Sequence, residues 1–154
     1  MQFSVGCEYA VHGLLYLAMQ PENEVVLVTD IARAQNLPVS YLAKVFQLLA
    51  KSGLVKSFRG ARGGYMLAQP PEAITLHDIT QAIEGASPLY SPLSNRRDCT
   101  LETECLIRET FLRAERAMNR ELEKVSLREM TEQAGRLKDR MKWLQTPENR
   151  TVHK

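Results

Sequence analysis

Two arginines set among glycines, in the run Arg59-Gly60-Ala61-Arg62-Gly63-Gly64, are the densest chemical signal in this chain. Arginine supplies a fixed charge and a fork of donors that matches phosphate, while glycine reaches the positive φ values of a tight turn. Short segments of alternating character flank the run, Leu54 to Phe58 before it and Tyr65 to Leu67 after it. The pattern predicts a β-hairpin whose tip lies against a phosphate backbone. A second chemistry resides in three cysteines, Cys7, Cys99 and Cys105. In a reducing compartment they read as free thiols or part of a metal site, not as a structural disulfide. No nucleophile–base pair, nucleotide-binding loop or pair of carboxylates at usable spacing occurs, so the chain is not read as an enzyme.

The elements that must position these groups have to fit in 154 residues, enough for one domain with a core or a small domain with an oligomerising arm. Hydrophobic residues at 44% and charged residues at 25% describe an ordinary globular protein. The net charge is only +2, so any argument for nucleic acid must rest on where the charge sits. No apolar run approaches the ~18 residues of a membrane span. The run from Leu14 to Met19 follows Glu8 and His12 and does not resemble a leader, so a cytoplasmic protein with no membrane partner is expected.

Cys7, Val11, Leu14, Leu15 and Ala18 recur at helical spacing and predict a first helix from about Ser4 to Met19, ended by Pro21. An extended stretch, Val25 to Val28, leads to Thr29-Asp30 as the cap of a second helix, Ile31 to Gln35. Asn36-Leu37-Pro38 is the turn. Ser40 is expected to cap a third helix, Tyr41 to Lys51, closed by Ser52-Gly53. On that helix Leu42, Val45, Phe46 and Leu49 form the inner side, and Tyr41, Lys44, Gln47 and Lys51 fall elsewhere. Two helices joined by a short turn and followed by a hairpin describe a winged helix-turn-helix, with the third helix in the major groove and the wing along the backbone. The expected DNA contacts are therefore Ser40, Tyr41, Lys44, Gln47, Lys51, Arg59, Arg62 and Gly63.

After the wing, Pro70-Pro71 breaks the chain, and Thr75-Leu76-His77-Asp78 reads as a capping box opening a helix that stops at Gly85. Residues 86–98 read as a loop. A long helix, about Glu102 to Lys124, carries the stripe Ile107, Phe111, Ala114, Met118, Leu122 and Val125, which looks like a seam between two chains. Ser126-Leu127-Arg128-Glu129 is a second capping box, opening a last helix through Met130, Leu137, Met141 and Trp143. The fold class is thus mainly α: a winged helix-turn-helix with a β-hairpin wing and a long C-terminal dimerisation helix. Its expected parts are a DNA-binding domain at 1–85, a loop at 86–101, dimerisation helices at 102–146 and a polar tail at 147–154.

The chain resembles the IscR/NsrR family of bacterial winged-helix regulators, many of which carry an iron–sulfur cluster. The resemblance runs from about Met1 to Lys124. It is carried by Tyr41-Leu42, by Gly53-Leu54-Val55, by Arg59 through Ala68, and by Pro71, Ile74-Thr75-Leu76, Asp78-Ile79 and Glu84-Gly85. It implies a homodimer on a palindromic double-stranded DNA site, with the long helix crossing to the partner and cluster ligands drawn from both chains.

Family members with clusters typically place three cysteines at C-x5-C-x5-C. Here Cys99 and Cys105 supply one such step, and Phe111 stands where the next would be. An all-cysteine site from one chain is excluded. Glu8 and His12 lie four residues apart on the first helix, on one face. By itself such a pair is most simply a surface pair. Redox-sensing members of the family use a carboxylate in this helix, sometimes with a histidine. The resemblance therefore implies a [2Fe–2S] cluster held by Glu8, His12, Cys99 and Cys105, and the 86–101 segment as its loop. Cys7, on the core stripe, reads as a small buried hydrophobe. The function implied is a DNA-binding regulator whose affinity follows the redox, nitrosative or iron status of that cluster. The alternatives are a cluster-free regulator of the same fold, switched by Cys99–Cys105 thiol chemistry or a small ligand, and a protein-interaction module.

Overall fold

The computed structural model describes residues 3–60, 63–86, 88, 105–137 and 140. Six helices and one hairpin follow in the order α1 (Val5–Ala18), α2 (Val28–Gln35), α3 (Val39–Lys51), β1 (Val55–Phe58), β2 (Gly64–Leu67), a short 3-10 turn (Pro71–Ala73), α4 (Leu76–Glu84), α5 (Leu106–Glu123) and α6 (Leu127–Arg136). The expected loop at 86–101 and the tail from 147 fall almost wholly outside the described residues, as do Met141 and Trp143.

The central element is α1. Its apolar residues are not confined to one stripe: Gly6, Cys7, Ala10, Gly13, Leu14, Leu15, Tyr16 and Leu17 are all buried. Val11 and Ala18, expected in the stripe, are only half-buried. The reason is that α1 packs against α2, α3, α4, α6 and β2 at once. Gly13 permits the tightest of these approaches, because a Cβ there would stand 2.7 Å from the Phe46 ring.

Three helix starts differ from the sequence reading; one is that of α5, where Cys105 is extended and the helix begins at Leu106, four residues after the expected Glu102. Helix α2 begins at Val28 with Leu27 as its N-cap, so Thr29 and Asp30 lie in the first turn. Leu27 is already extended, and Asp30 sits where a carboxylate favours the positive end of the helix dipole. Helix α3 begins at Val39 directly after Pro38, and Ser40 is its second residue, making no side-chain cap. Proline brings a preset φ to the cap position, so no side chain is needed to stop the backbone there. Of the extended stretch at Val25 to Val28, only Val26 pairs, in a single antiparallel bridge to Tyr65.

The wing is a two-stranded antiparallel sheet in the register Val55↔Leu67, Lys56↔Met66, Ser57↔Tyr65 and Phe58↔Gly64. Both capping boxes form. Thr75 accepts from the Asp78 amide while Asp78 accepts from the Thr75 amide at 2.8 Å. Ser126 and Glu129 do the same for α6. The two cap residues are themselves joined by a β-bridge, so the starts of α4 and α6 lie side by side.

The innermost side chains are Phe46, Leu14, Ile31, Leu42, Leu49, Ile74, Ile79 and Leu127. Leu127 and Ala134 carry α6 into the same core as α1 to α4. The chain after α5 thus returns to the helix-turn-helix body and helps to close it. Helix α5 itself has no buried residue.

Candidate nucleic-acid interface and ligand face

Helix α3 has two sides. Leu42, Val45, Phe46 and Leu49 are buried, which fixes the helix against the body. Ser40, Lys44, Gln47 and Lys51, spaced three and four apart, form an exposed row on the opposite side. That row is a polar, cation-bearing face on a rigid helix, the arrangement that reads a major groove.

Tyr41 stands apart from the row. Its ring meets Tyr9 edge-on at 5.7 Å between centroids. Its hydroxyl lies where a Cβ on Gly6 would approach to 3.3 Å, so this side chain also ties α3 to α1. Leu48 is exposed on the same edge of the helix. The sequence reading missed it because Leu48-Leu49-Ala50 reads as a uniform apolar stretch.

The wing places Arg59 in the open beside Gly60, which has φ +98°. The Gly63 amide donates to the Gly60 carbonyl at 2.9 Å, closing the turn. A Cβ on Gly63 would stand 2.7 Å from the Phe58 carbonyl oxygen, so this position takes glycine only. Arg62 lies outside the described residues. Lys56, exposed on β1, adds a cation that the sequence reading did not single out.

The candidate ligand face is on α1. Glu8 is exposed and His12 half-buried, four residues apart. Burial pushes the His12 pKa below its ordinary value, and the Glu8 carboxylate works against that only as the smaller effect. The neutral imidazole that results is the form that binds metals. Cys7 is different. Burial, and secondarily the Glu84 carboxylate, push its thiol up to about 11, so it stays a protonated, inert group. Glu84 is held by the Ser4 amide and hydroxyl at 2.8 and 2.7 Å. Cys105 caps the start of α5 and is partly exposed, and Cys99 lies outside the described residues. Among the described residues, no three His, Cys, Asp or Glu side chains converge as a metal site.

The expected seam on α5 divides. Ile107 and Phe111 are 62% and 47% exposed, with Ala114 and Val125 exposed as well, whereas Met118 and Leu122 are half-buried. Helix α5 packs against α4. Among the described residues no helix is long and apolar enough to cross a membrane.

Comparison with known proteins agrees with this architecture. The family model for Rrf2, described as an iron-dependent transcriptional regulator, matches residues 3–133. The chain is 43% identical over 84 residues to a protein of Synechocystis sp. named as an HTH-type transcriptional regulator; the match covers 54% of this chain and only 57% of that relative. Among solved structures, CymR, the global cysteine regulator of B. subtilis, superposes with a TM-score of 0.68 at 30% identity, covering 86% of this chain and 97% of that one. IscR of T. potens superposes with a TM-score of 0.66 at 28% identity, covering 87% and 88%. These relatives are named as regulators, in keeping with a protein that is not an enzyme. The chain, with its winged-helix DNA-binding fold, belongs to the Rrf2 family of transcriptional regulators.

Proposed function

We propose that the protein is a homodimeric regulator whose affinity for a palindromic DNA site is set by a [2Fe–2S] cluster held by Glu8, His12, Cys99 and Cys105. The observation that carries this reading is the chemistry of the α1 face. A carboxylate and a half-buried imidazole kept neutral by burial stand side by side, with an inert thiol, Cys7, turned into the core behind them. The match to an iron-dependent family model points the same way. These donors fit a cluster with mixed ligands, in which imidazole in place of thiolate raises the reduction potential. When bound, such a group would supply one-electron redox chemistry and sensitivity to reactive small molecules.

The chain's own residues would do the rest. Glu8 and His12 sit on the helix that carries the core, and Cys105 opens the arm helix, so a shared ligand set would join body and arm. The row on α3 would enter the major groove and Arg59 would follow the phosphates of the adjoining groove. A change at the ligand set would then alter how the two reading heads are spaced. Ile107, Phe111, Ala114 and Val125 would form the seam that holds two copies together, with Met118 and Leu122 at its inner edge.

The test is an absorption spectrum with iron and sulfide quantitation on protein purified without oxygen, before and after dithionite. Visible bands that bleach on reduction, with two iron and two sulfide per chain, are expected. His12→Ala is expected to abolish them and Cys7→Ala to spare them. A featureless spectrum after reconstitution would favour the second reading, a cluster-free regulator switched by thiols or a small ligand. The likeness to CymR, named a global cysteine regulator, supports that alternative.

A further inference from the structure

The wing carries an aromatic side chain that the fold leaves uncovered. Side chains alternate along β1, so Val55 turns into the core while Lys56 and Phe58 share the other face. Phe58 is 43% exposed at the tip end of the strand. Its cross-strand partner is Gly64, which has no side chain to shield the ring. Glycine is imposed there. The bridge between Val26 and Tyr65 brings the Val26 carbonyl oxygen within 2.4 Å of where a Cβ on Gly64 would stand. The backbone contact that docks the wing on the body is therefore also what strips Phe58 of a neighbour.

Cations flank the ring along the chain. Lys56 lies two residues back on the same face, and Arg59 follows directly. An exposed phenyl ring between Lys56 and Arg59 in sequence, at a turn of glycines, contributes little to the core. It presents to a ligand an apolar wedge whose charged flanks would sit on phosphates.

We propose that Phe58 is a minor-groove wedge, pressing into the groove beside Arg59 and partly unstacking a base step there. The proposal rests on the reading that the wing faces DNA. Apolar side chains inserted in this way bend the duplex toward the major groove. The deformation is easiest at pyrimidine–purine steps, so Phe58 confers a preference for such a step under each wing without a hydrogen bond to a base. It is a specificity-determining residue of the indirect kind.

The full-length protein tests this on fluorescently end-labelled duplexes that the native chain itself selects from a randomised pool. Affinity is read by anisotropy and bending by energy transfer between the ends, for the native chain, Phe58→Ala, Phe58→Leu and Arg59→Ala. Phe58→Ala is expected to lose about tenfold in affinity, the fold-change that half-burying a phenyl ring supplies. It should also straighten the DNA and lose the preference for a pyrimidine–purine step. Phe58→Leu should keep most of all three, which separates the wedge from any effect on folding. Native affinity and bend in Phe58→Ala, beside weakened binding in Arg59→Ala, would overturn the wedge and leave the wing on the DNA. Native behaviour in both variants would overturn the wedge together with the reading of the wing.

Discussion

Helices α3 and α5 carry apolar stripes of the same period, yet among the described residues one stripe is buried and the other is not. On α3, Leu42, Phe46 and Leu49 are wholly buried against α1, α2 and α4. On α5, which is five residues longer, no residue is buried and Phe111 is 47% exposed. Periodicity creates an apolar side but does not say what will cover it. For α3 the cover comes from neighbours close in sequence. For α5, which packs against α4, the described residues leave the stripe at most half-buried.

The contrast can be broken hardest at Phe46. Truncation there removes a ring that packs close to Gly13 and lies 4.9 Å from the Tyr65 ring at a tilt of 52°, joining α1, α3 and the wing. Phe46→Ala should cost about 3–5 kcal/mol of folding stability, read as a fall in denaturant midpoint with unchanged slope. On the other helix, Phe111→Glu should leave the secondary structure of the chain intact and act on association instead. A loss of about 2 kcal/mol or more at a central aromatic corresponds to roughly 30-fold weaker pairing, measurable by sedimentation. If Phe111→Glu unfolded the chain while Phe46→Ala merely separated subunits, the two roles would have to be exchanged.

A third prediction concerns the buried side of α1, and its sign follows from burial. The Cys7 thiol is pushed up from 9.0 to about 11, and the Tyr16 hydroxyl is also raised, first by burial and then by Asp30 and Glu24. Both groups are neutral in the fold and lose their protons more readily in the unfolded chain. Their contribution is therefore fully present below about pH 9 and is lost as the pH rises through the folded values. The metal-free protein should lose about 2 kcal/mol of stability across pH 9–11 from Cys7 alone, and Cys7→Ala should flatten that limb. His12, held low by burial, acts at the other end. Its contribution is present above its ordinary pKa near 6.5 and is lost as the pH falls.

How far the sequence was legible depends on whether a signal was local. The hairpin, both capping boxes and the turn at Asn36-Leu37-Pro38 are each written in a few adjacent residues, and all formed. The start of α3 was misplaced because Ser40 is a preferred cap residue, whereas Pro38, read as part of the turn, takes the cap position with its preset φ. That α6 closes the core was not readable: Leu127 looks like any first-turn leucine until the bridge from Thr75 to Ser126 brings it beside Ile74. For the candidate site, the exposed row on α3 and the Glu8/His12 face were legible because helical spacing alone sets them. Phe58 was not, since its exposure depends on a glycine forced by a contact across the fold.

Lys44 gives the mildest and most discriminating comparison of the two helices. Its ammonium is exposed on α3, away from the buried Leu42 and Phe46, so Lys44→Ala should leave stability within about 0.5 kcal/mol of the native value. Its effect should be confined to DNA. If it meets a phosphate, affinity falls by about 1 kcal/mol at every sequence, and the slope of log affinity against log salt falls by about 1. If it meets a base edge instead, the loss concentrates at one position of the site and the salt slope is kept. An unchanged affinity in both respects would remove Lys44 from the interface. An equivalent exposed cation on α5, Arg116, should by contrast leave DNA affinity at constant dimer concentration untouched when replaced by alanine. Of these two helices, only the one whose opposite face is buried against the body is expected to turn its cations toward the groove.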